Sequence, residues 1–277
     1  MSTQLRIVTW NAEGMFVAGS KTRRATPHDG IAVIKKLDAD VIFVPEFGDV
    51  SRLDESIVTT LHALGYEVVT YEYGQAELGA YGAALITRLP LSDYHLHQFG
   101  NTGRKFIEAT LELDSGKKLR IVGVHLDDRS EEIRLQQVPE VSGVVNNKDI
   151  KTIVLGDFNA MHATARFARL ARTKPMAYVA NHIPHQKLRS VGTRVTEMAI
   201  GSTLIELLAA TKLHDLDTAR HTTISARQAG LEWLPSIRLA KIDWILGSTG
   251  ISTVHYRVLP DVGSDHRPVL AVVDVAL

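Results

Sequence analysis

The stretch that most constrains this chain is Ile153-Val154-Leu155-Gly156-Asp157-Phe158-Asn159. Three consecutive apolar residues, two of them β-branched, read as a strand buried on both faces. The run stops at Gly-Asp-Phe-Asn, so a core strand delivers a carboxylate and a carboxamide, two residues apart, to one end of a sheet. Alternation points Asp157 and Asn159 the same way while Phe158 packs elsewhere. Asp is depleted in strands and needs a partner or a purpose there. Asp and Asn also favour turns, so this motif alone reads equally well as a loop-initiating turn.

The same format recurs. Ile7-Val8-Thr9-Trp10 ends at Asn11, Val41-Ile42-Phe43-Val44-Pro45 at Glu46, and Ile121-Val122-Gly123-Val124 at His125. A last island pairs Ile242-Asp243-Trp244-Ile245-Leu246 with Gly263-Ser264-Asp265-His266-Arg267-Pro268. A lone Glu or His at a strand end is usually solvated. Asp243, inside an apolar strand, needs pairing or an exposed face. Chance does not readily place all of them at strand ends, where open α/β sheets bind ligands.

Glu46, Asp265 and Asn11 are hard oxygen donors that suit Mg²⁺ or Mn²⁺. His125 and His266 can neutralise or protonate phosphate oxygens. Asp157 can position and deprotonate a water, with Asn159 holding it or a phosphate oxygen. This is the inventory for metal-assisted phosphoester hydrolysis.

Trp10-Asn11, Glu46, His125-Leu126, Gly156-Asp157-Phe158-Asn159, Ile242-Asp243 and Ser264-Asp265-His266-Arg267-Pro268 resemble the ordered signature of the endonuclease/exonuclease/phosphatase superfamily. That group includes deoxyribonuclease I-like nucleases, abasic-site endonucleases, neutral sphingomyelinases and inositol polyphosphate 5-phosphatases. The resemblance runs from about residue 7 to 275, one domain over 1–277. It implies a four-layer α-β-β-α sandwich, with two mixed β-sheets face to face and helices outside. It further implies Asn11 and Glu46 as metal-holding residues, joined by Asp265. Asp157 would activate the attacking water with Asn159 beside it. His266 would contact phosphate with Asp243 as its carboxylate partner, and His125 would stabilise the phosphoryl charge or assist the leaving group. The family Glu commonly follows Gln; here it follows Pro45, which lacks a backbone donor but is tolerated at a strand end.

Strands and helices interleave through the chain without repeats or linkers, which suits one α/β-type domain holding a mixed sheet or a pair of sheets. Helices are expected over 30–37, 53–64, from Ser130, near 163–171 and over 202–210, with a Ser51/Asp54 capping box and with Pro139 kinking or ending its helix. The remaining expected strands include a hairpin around Asp114-Ser115-Gly116. The polar N-terminus lacks a signal-peptide layout, and no apolar run approaches the ~20 residues of a membrane span. The expectation is a cytoplasmic protein with no obligate protein partner evident. With no Cys, thiolate chemistry is excluded.

Lys plus Arg equals Asp plus Glu, 31 each, so any polyanion site must be local. From Phe158 to Thr196 there is no acid, while Arg166, Arg169, Arg172, Lys187 and Arg189 fall there. This segment is either a phosphate platform beside the catalytic Asp or a solvated insertion. Arg129 is a second rim candidate, able to touch phosphate or to pair with its adjacent acids. Tyr81 fits a Gly-rich turn, Trp233 a half-buried core position, and His95-x-His97 an edge strand. Gly14 to Thr22 nearly matches a phosphate-binding loop, but Met15, Phe16 and Val17 suit it poorly. The reading is a Mg²⁺/Mn²⁺-dependent phosphodiesterase acting on a nucleic-acid or nucleotide substrate. Its alternatives are a phospholipid-headgroup or inositol/sugar-phosphate hydrolase, and a noncatalytic binding module on the same scaffold.

Overall fold

The computed structural model describes residues 2–17, 25–73, 82–100, 102–146, 150–162, 198–199, 201–219, 221–225, 238–260 and 262–276. Alternation along the strands generates two kinds of core at once. In β1 (Ser2–Thr9), Ile7 points into one apolar layer and Val8 into another; in β2 (Val41–Gly48), Phe43 separates Ile42 from Val44 in the same way. In β7 (Lys118–His125) and β8 (Lys151–Asp157), Ile121, Ile153 and Leu155 share the layer of Ile7 and Phe43, while Val122, Val124 and Val154 face a third layer. Each strand is therefore apolar on both faces, as an internal layer requires.

One sheet runs β13-β14-β1-β2-β4-β3 and the other β5-β6-β7-β8-β12-β9. Here β3 is Glu67–Glu72, β4 Gly82–Thr87, β5 Leu91–Gln98, β6 Lys105–Glu112, β9 His214–Asp215, β12 Asp243–Gly247, β13 Ile251–Val258 and β14 Val269–Ala276. A small ribbon pairs β10 (Ile224–Ser225) with β11 (Arg238–Ala240). The two six-stranded sheets meet through the layer of Ile7, Phe43, Ile121 and Leu155. Helices α1 (Pro27–Leu37) and α2 (Glu55–Ala63) cover the first sheet through Ile34, Leu37, Ile57 and Leu61. Helices α3 (Glu131–Asn146) and α4 (Thr203–Thr211) cover the second through Val138, Val141, Leu204 and Leu207. This is the expected four-layer sandwich. No helix among the described residues is long and apolar enough to cross a membrane.

One local expectation fails, and one of the two outcomes expected at Pro139 is excluded. Asp54, not Ser51, caps α2, accepting from Ser56 N at 2.9 Å, and Ser51 lies in a 3-10 turn capped by Asp49. Pro139 does not end its helix: α3 runs seven residues past it, to Asn146. The missing donor costs roughly 3 kcal/mol. Burial of Val138, Val141 and Val145 offsets it, and buried Arg120 donates to the terminal carbonyls of Val144 and Val145 at 2.6 and 3.1 Å.

Helix α4 is capped from outside. Its own Ser202 makes no side-chain cap bond. Instead Glu131 Oε1, from α3, accepts from Ser202 N, Thr203 N and Thr203 Oγ1 at 2.7, 2.9 and 2.8 Å. Glu131→Gln is expected to destabilise the fold by about 2 kcal/mol, because one amide oxygen replaces a charged acceptor of three bonds. Denaturant unfolding of parent and variant measures this; equal midpoints would remove the cap from the stability argument.

Candidate active site

Topology alone gathers the predicted residues. Each sheet holds one parallel central pair, β1–β2 and β7–β8. Their carboxyl ends carry Asn11 and Glu46 in one sheet and His125 and Asp157 in the other. Strand β12 runs antiparallel to β8 and begins with Asp243 directly opposite Asp157. Strand β14 runs antiparallel to β1, so the Asp265-His266 turn before it reaches the same edge.

Backbone irregularities aim the side chains. Gly156 has φ +143°, and a Cβ there would lie 1.9 Å from Val124 O of β7. Only glycine lets the two strands approach this closely just before Asp157. Glu46 and Asn159 both have φ +48°, and Glu13 has φ +50°. Such conformations cost roughly 1–3 kcal/mol each and cluster at functional sites. The β2–β4 register breaks between Val44 and Gly48, and Pro45 sits in that break, where its missing N–H interrupts no regular ladder. Pro45 O accepts Ala12 N at 3.0 Å and Glu46 O accepts Gly14 N at 2.7 Å, so the bulge is tied to the Asn11 loop.

Asp157 is the hub. Its Oδ1 accepts Asn159 N at 2.9 Å and its Oδ2 accepts Asn11 Nδ2 at 3.1 Å. Asn11 Nδ2 also donates to Glu46 Oε1 at 3.2 Å. The Nε2 atoms of His266 and His125 stand 3.6 and 3.7 Å from Asp157 Oδ2. His266 Nδ1 donates to Asp243, at 2.9 and 3.0 Å from its two oxygens. Asn159 Nδ2 donates to Leu126 O at 3.1 Å, so Asn159 holds the end of β7 as well as its own strand.

Burial disfavours charge throughout, and neighbours decide what survives. Burial pushes Asp157 up to about 7, against the opposing pull of His266. Glu46 also rises to about 7, through burial and then Asp265. Burial, aided by Arg104, drives His125 down to about 3, so it is a neutral imidazole near pH 7. Burial would also lower His266, but Asp243, Asp157 and Asp265 outweigh it and hold it charged, well above the usual histidine range.

Two groups could hold a cation. Ligand atoms of Asp157, Asp243 and His266 lie within 4.8 Å of one another. Glu46, Asp265 and Asn11 form the oxygen-only side. Burial raises Glu46 first and the nearby Asp265 carboxylate adds to it, and a divalent ion would relieve both, so the donor set fits a hard metal. As placed, Asn11 turns its Nδ2 to the carboxylates while its Oδ1 accepts Glu13 N at 3.1 Å. Ligation through Oδ1 would require the amide to turn over.

Several supporting residues carry no local sequence signal. Tyr73 OH accepts Glu46 N at 3.2 Å and its ring lies edge-on to His125 at 5.3 Å between centroids. Thr223 Oγ1 accepts the N–H groups of Ile242 and Asp243, each at 3.2 Å, and Thr223 O accepts Arg267 N at 3.0 Å. Ser264 Oγ donates to Asn11 O at 2.7 Å and accepts His266 N at 3.0 Å. Arg104 binds Leu126 O and Asp128 Oδ1 at the rim, at 3.2 and 2.8 Å.

A family model described as Endonuclease/Exonuclease/phosphatase family matches residues 8–266. The chain belongs to that family, a group of metal-dependent phosphoesterases. No match was found among curated proteins. Among solved structures, it is similar to an AP endonuclease from Archaeoglobus fulgidus, with a TM-score of 0.64 and 17% identity over 96% of this chain and 98% of that one. It is similar to TDP2 of D. rerio, solved with a single-strand DNA product, with a TM-score of 0.61 and 18% identity over 98% and 99%. It is also similar to the 3′ phosphatase NExo from Neisseria, bound to a product DNA hairpin, with a TM-score of 0.60 and 21% identity over 96% and 98%. These likenesses establish the deoxyribonuclease I-like fold.

Of the remaining expectations, Arg129 is exposed, and its N–H caps Asp127 Oδ1 at 2.8 Å. Arg166, Lys187, Arg189, Tyr81, Trp233 and the helix near 163–171 lie outside the described residues. His95 and His97 lie on edge strand β5 and bind Asp93 and Glu108 at 2.9 and 3.0 Å, as an edge strand predicts. Met15 and Phe16 are fully buried core side chains, which suits a packed turn and not a phosphate loop.

Proposed function

We propose that this protein is a Mg²⁺- or Mn²⁺-dependent phosphodiesterase acting on a nucleic-acid or nucleotide substrate. The observation that carries the reading is buried Asp157, placed between the Asp243–His266 pair and the oxygen-rich group of Asn11 and the partly exposed Glu46. DNA in the TDP2 and NExo structures supports the substrate class.

A divalent ion held by Glu46 and Asp265, with Asn11, would polarise a phosphoryl oxygen and offset the charge that repels a nucleophile. The chain's own residues do the rest. Asp157, its pKa raised by burial to about 7, orients a water and takes its proton. Asn159 fixes one carboxylate oxygen of Asp157, and Asn11 the other. Charged His266 donates from Nε2 to a non-bridging phosphoryl oxygen, while Asp243 holds its ring through Nδ1. His125, neutral, binds the transferring group by hydrogen bonding and not by charge.

The test is hydrolysis of an activated phosphodiester, followed by a panel of single-stranded DNA, duplex DNA, RNA, nucleotides, sphingomyelin and phosphoinositides. A chelator should abolish turnover and Mg²⁺ or Mn²⁺ restore it, with the nucleic-acid arm most active. Turnover indifferent to chelator would defeat the metal assignment. Preference for a lipid or inositol phosphate would move the substrate class, and no divalent-dependent turnover on any ester would indicate a binding module.

A further inference from the structure

The pole opposite the site holds a cavity of about 670 Å³ with no assigned role. It opens where β7 and β8 begin, lined by Lys118 and Lys151, by Lys117 of the β6–β7 turn and by Lys212 just past α4. Strand β8 spans the sheet from Lys151 to Asp157, seven residues, or ~20 Å of extended chain. The two sites are therefore separate.

Four lysines converge, and no acid stands among the described lining residues. Glu112 is opposite Lys118 in the hairpin register, yet none of the four lysines makes an ion pair among the described residues. Lys151 is tethered, its Nζ donating to Thr249 O at 2.7 Å. In a chain of zero net charge this is a marked local excess.

The ordinary reason for lysines here would be the carboxyl ends of α3 and α4, which both reach the cavity. That explanation falls short on two counts. Each helix end carries roughly −0.5 charge, so together they supply about −1 against four ammonium groups. Several of their carbonyls are also already met: Val144 and Val145 by Arg120, Ala210 by Asn146 Nδ2 at 2.9 Å, and Leu208 by Lys212 N at 3.1 Å. Among the described residues, the ammonium groups of Lys117, Lys118 and Lys212 have no such duty.

We propose that this cavity is a second, noncatalytic binding site for a small phosphate compound carrying at least two negative charges. Its volume lies in the range of small-ligand sites, ~300–1,000 Å³, and the edges of core residues Leu113 and Val145 border it beside the charged groups.

The test is calorimetric titration of the full chain with pyrophosphate and with ADP. It is run at low ionic strength in excess chelator, so that catalysis and metal binding play no part. Sub-millimolar binding is expected, weakening as salt rises. Lys118→Glu with Lys212→Glu, both exposed positions, should lower affinity at least ~10-fold, whereas Asp157→Asn should leave it unchanged. Lys117→Ala with Lys118→Ala gives the same reading if charge reversal disturbs folding. Failure of both probes to bind, binding that survives the lysine changes, or binding lost in Asp157→Asn would each overturn the proposal. None of these outcomes depends on the reaction at the other pole.

Discussion

Asp157→Asn is expected to lower turnover of an activated phosphodiester by about 10³–10⁴-fold, with a much smaller change in KM. The substitution is nearly isosteric, and the Asn159 N–H can still find an oxygen. Three things change together. The water loses its base, the amide cannot accept at both positions, and Asn11 Nδ2 then faces either an oxygen or another NH₂ group. His266→Ala should cost a similar factor, because it removes the charged donor that Asp243 holds at 2.9 Å. The double variant should be little worse than either single one, since a base and a donor acting on one transition state form a unit. Steady-state rates for the three variants, with circular dichroism as a folding check, settle this. Near-parental kcat in either single variant would remove that residue from the chemistry.

The largest effect on stability is expected from a single methyl group. Gly156→Ala places Cβ 1.9 Å from the Val124 carbonyl oxygen, at a φ of +143° that L side chains rarely adopt. Neither party can step aside, because both are backbone at the middle of a sheet. Relief requires β7 and β8 to separate along a parallel ladder that runs from Leu119–Lys151 to His125–Asp157. A loss above about 4 kcal/mol is expected, enough to leave most of the chain unfolded or insoluble. Thermal unfolding and soluble yield measure it. A variant melting within a couple of degrees of the parent would show that the strands do not need the glycine.

Much of this could be read in advance, for identifiable reasons. Alternation along Ile7-Val8 and Ile153-Val154-Leu155 is a direct imprint of layers on both faces, so the sandwich is legible strand by strand. The candidate site residues stand out because they interrupt apolar runs, where a polar side chain needs a reason. What escapes is set by distance along the chain. Thr223 acts on Asp243 from 20 residues away, and Ser264 on Asn11 from 253 residues away. Neither sits in a pattern that announces a partner. Glu131 is another case: charge in a first turn reads as a favourable dipole for its own helix, whereas the structure uses it on α4. Pro139 does not end its helix because local propensity is outweighed by three buried valines and one arginine.

The division of the site between two sheets has a consequence for how activity appears during folding. Asn11 and Glu46 belong to one sheet, and His125, Asp157 and Asp243 to the other, joined through the layer around Phe43 and Leu155. A partly folded chain with either sheet alone would hold the proposed metal-holding oxygens of Asn11 and Glu46 or the proposed base Asp157, never both. Hydrolytic competence should therefore emerge only with the final docking step. On the proposed mechanism, a nascent or damaged molecule would stay inert until its two halves close on each other.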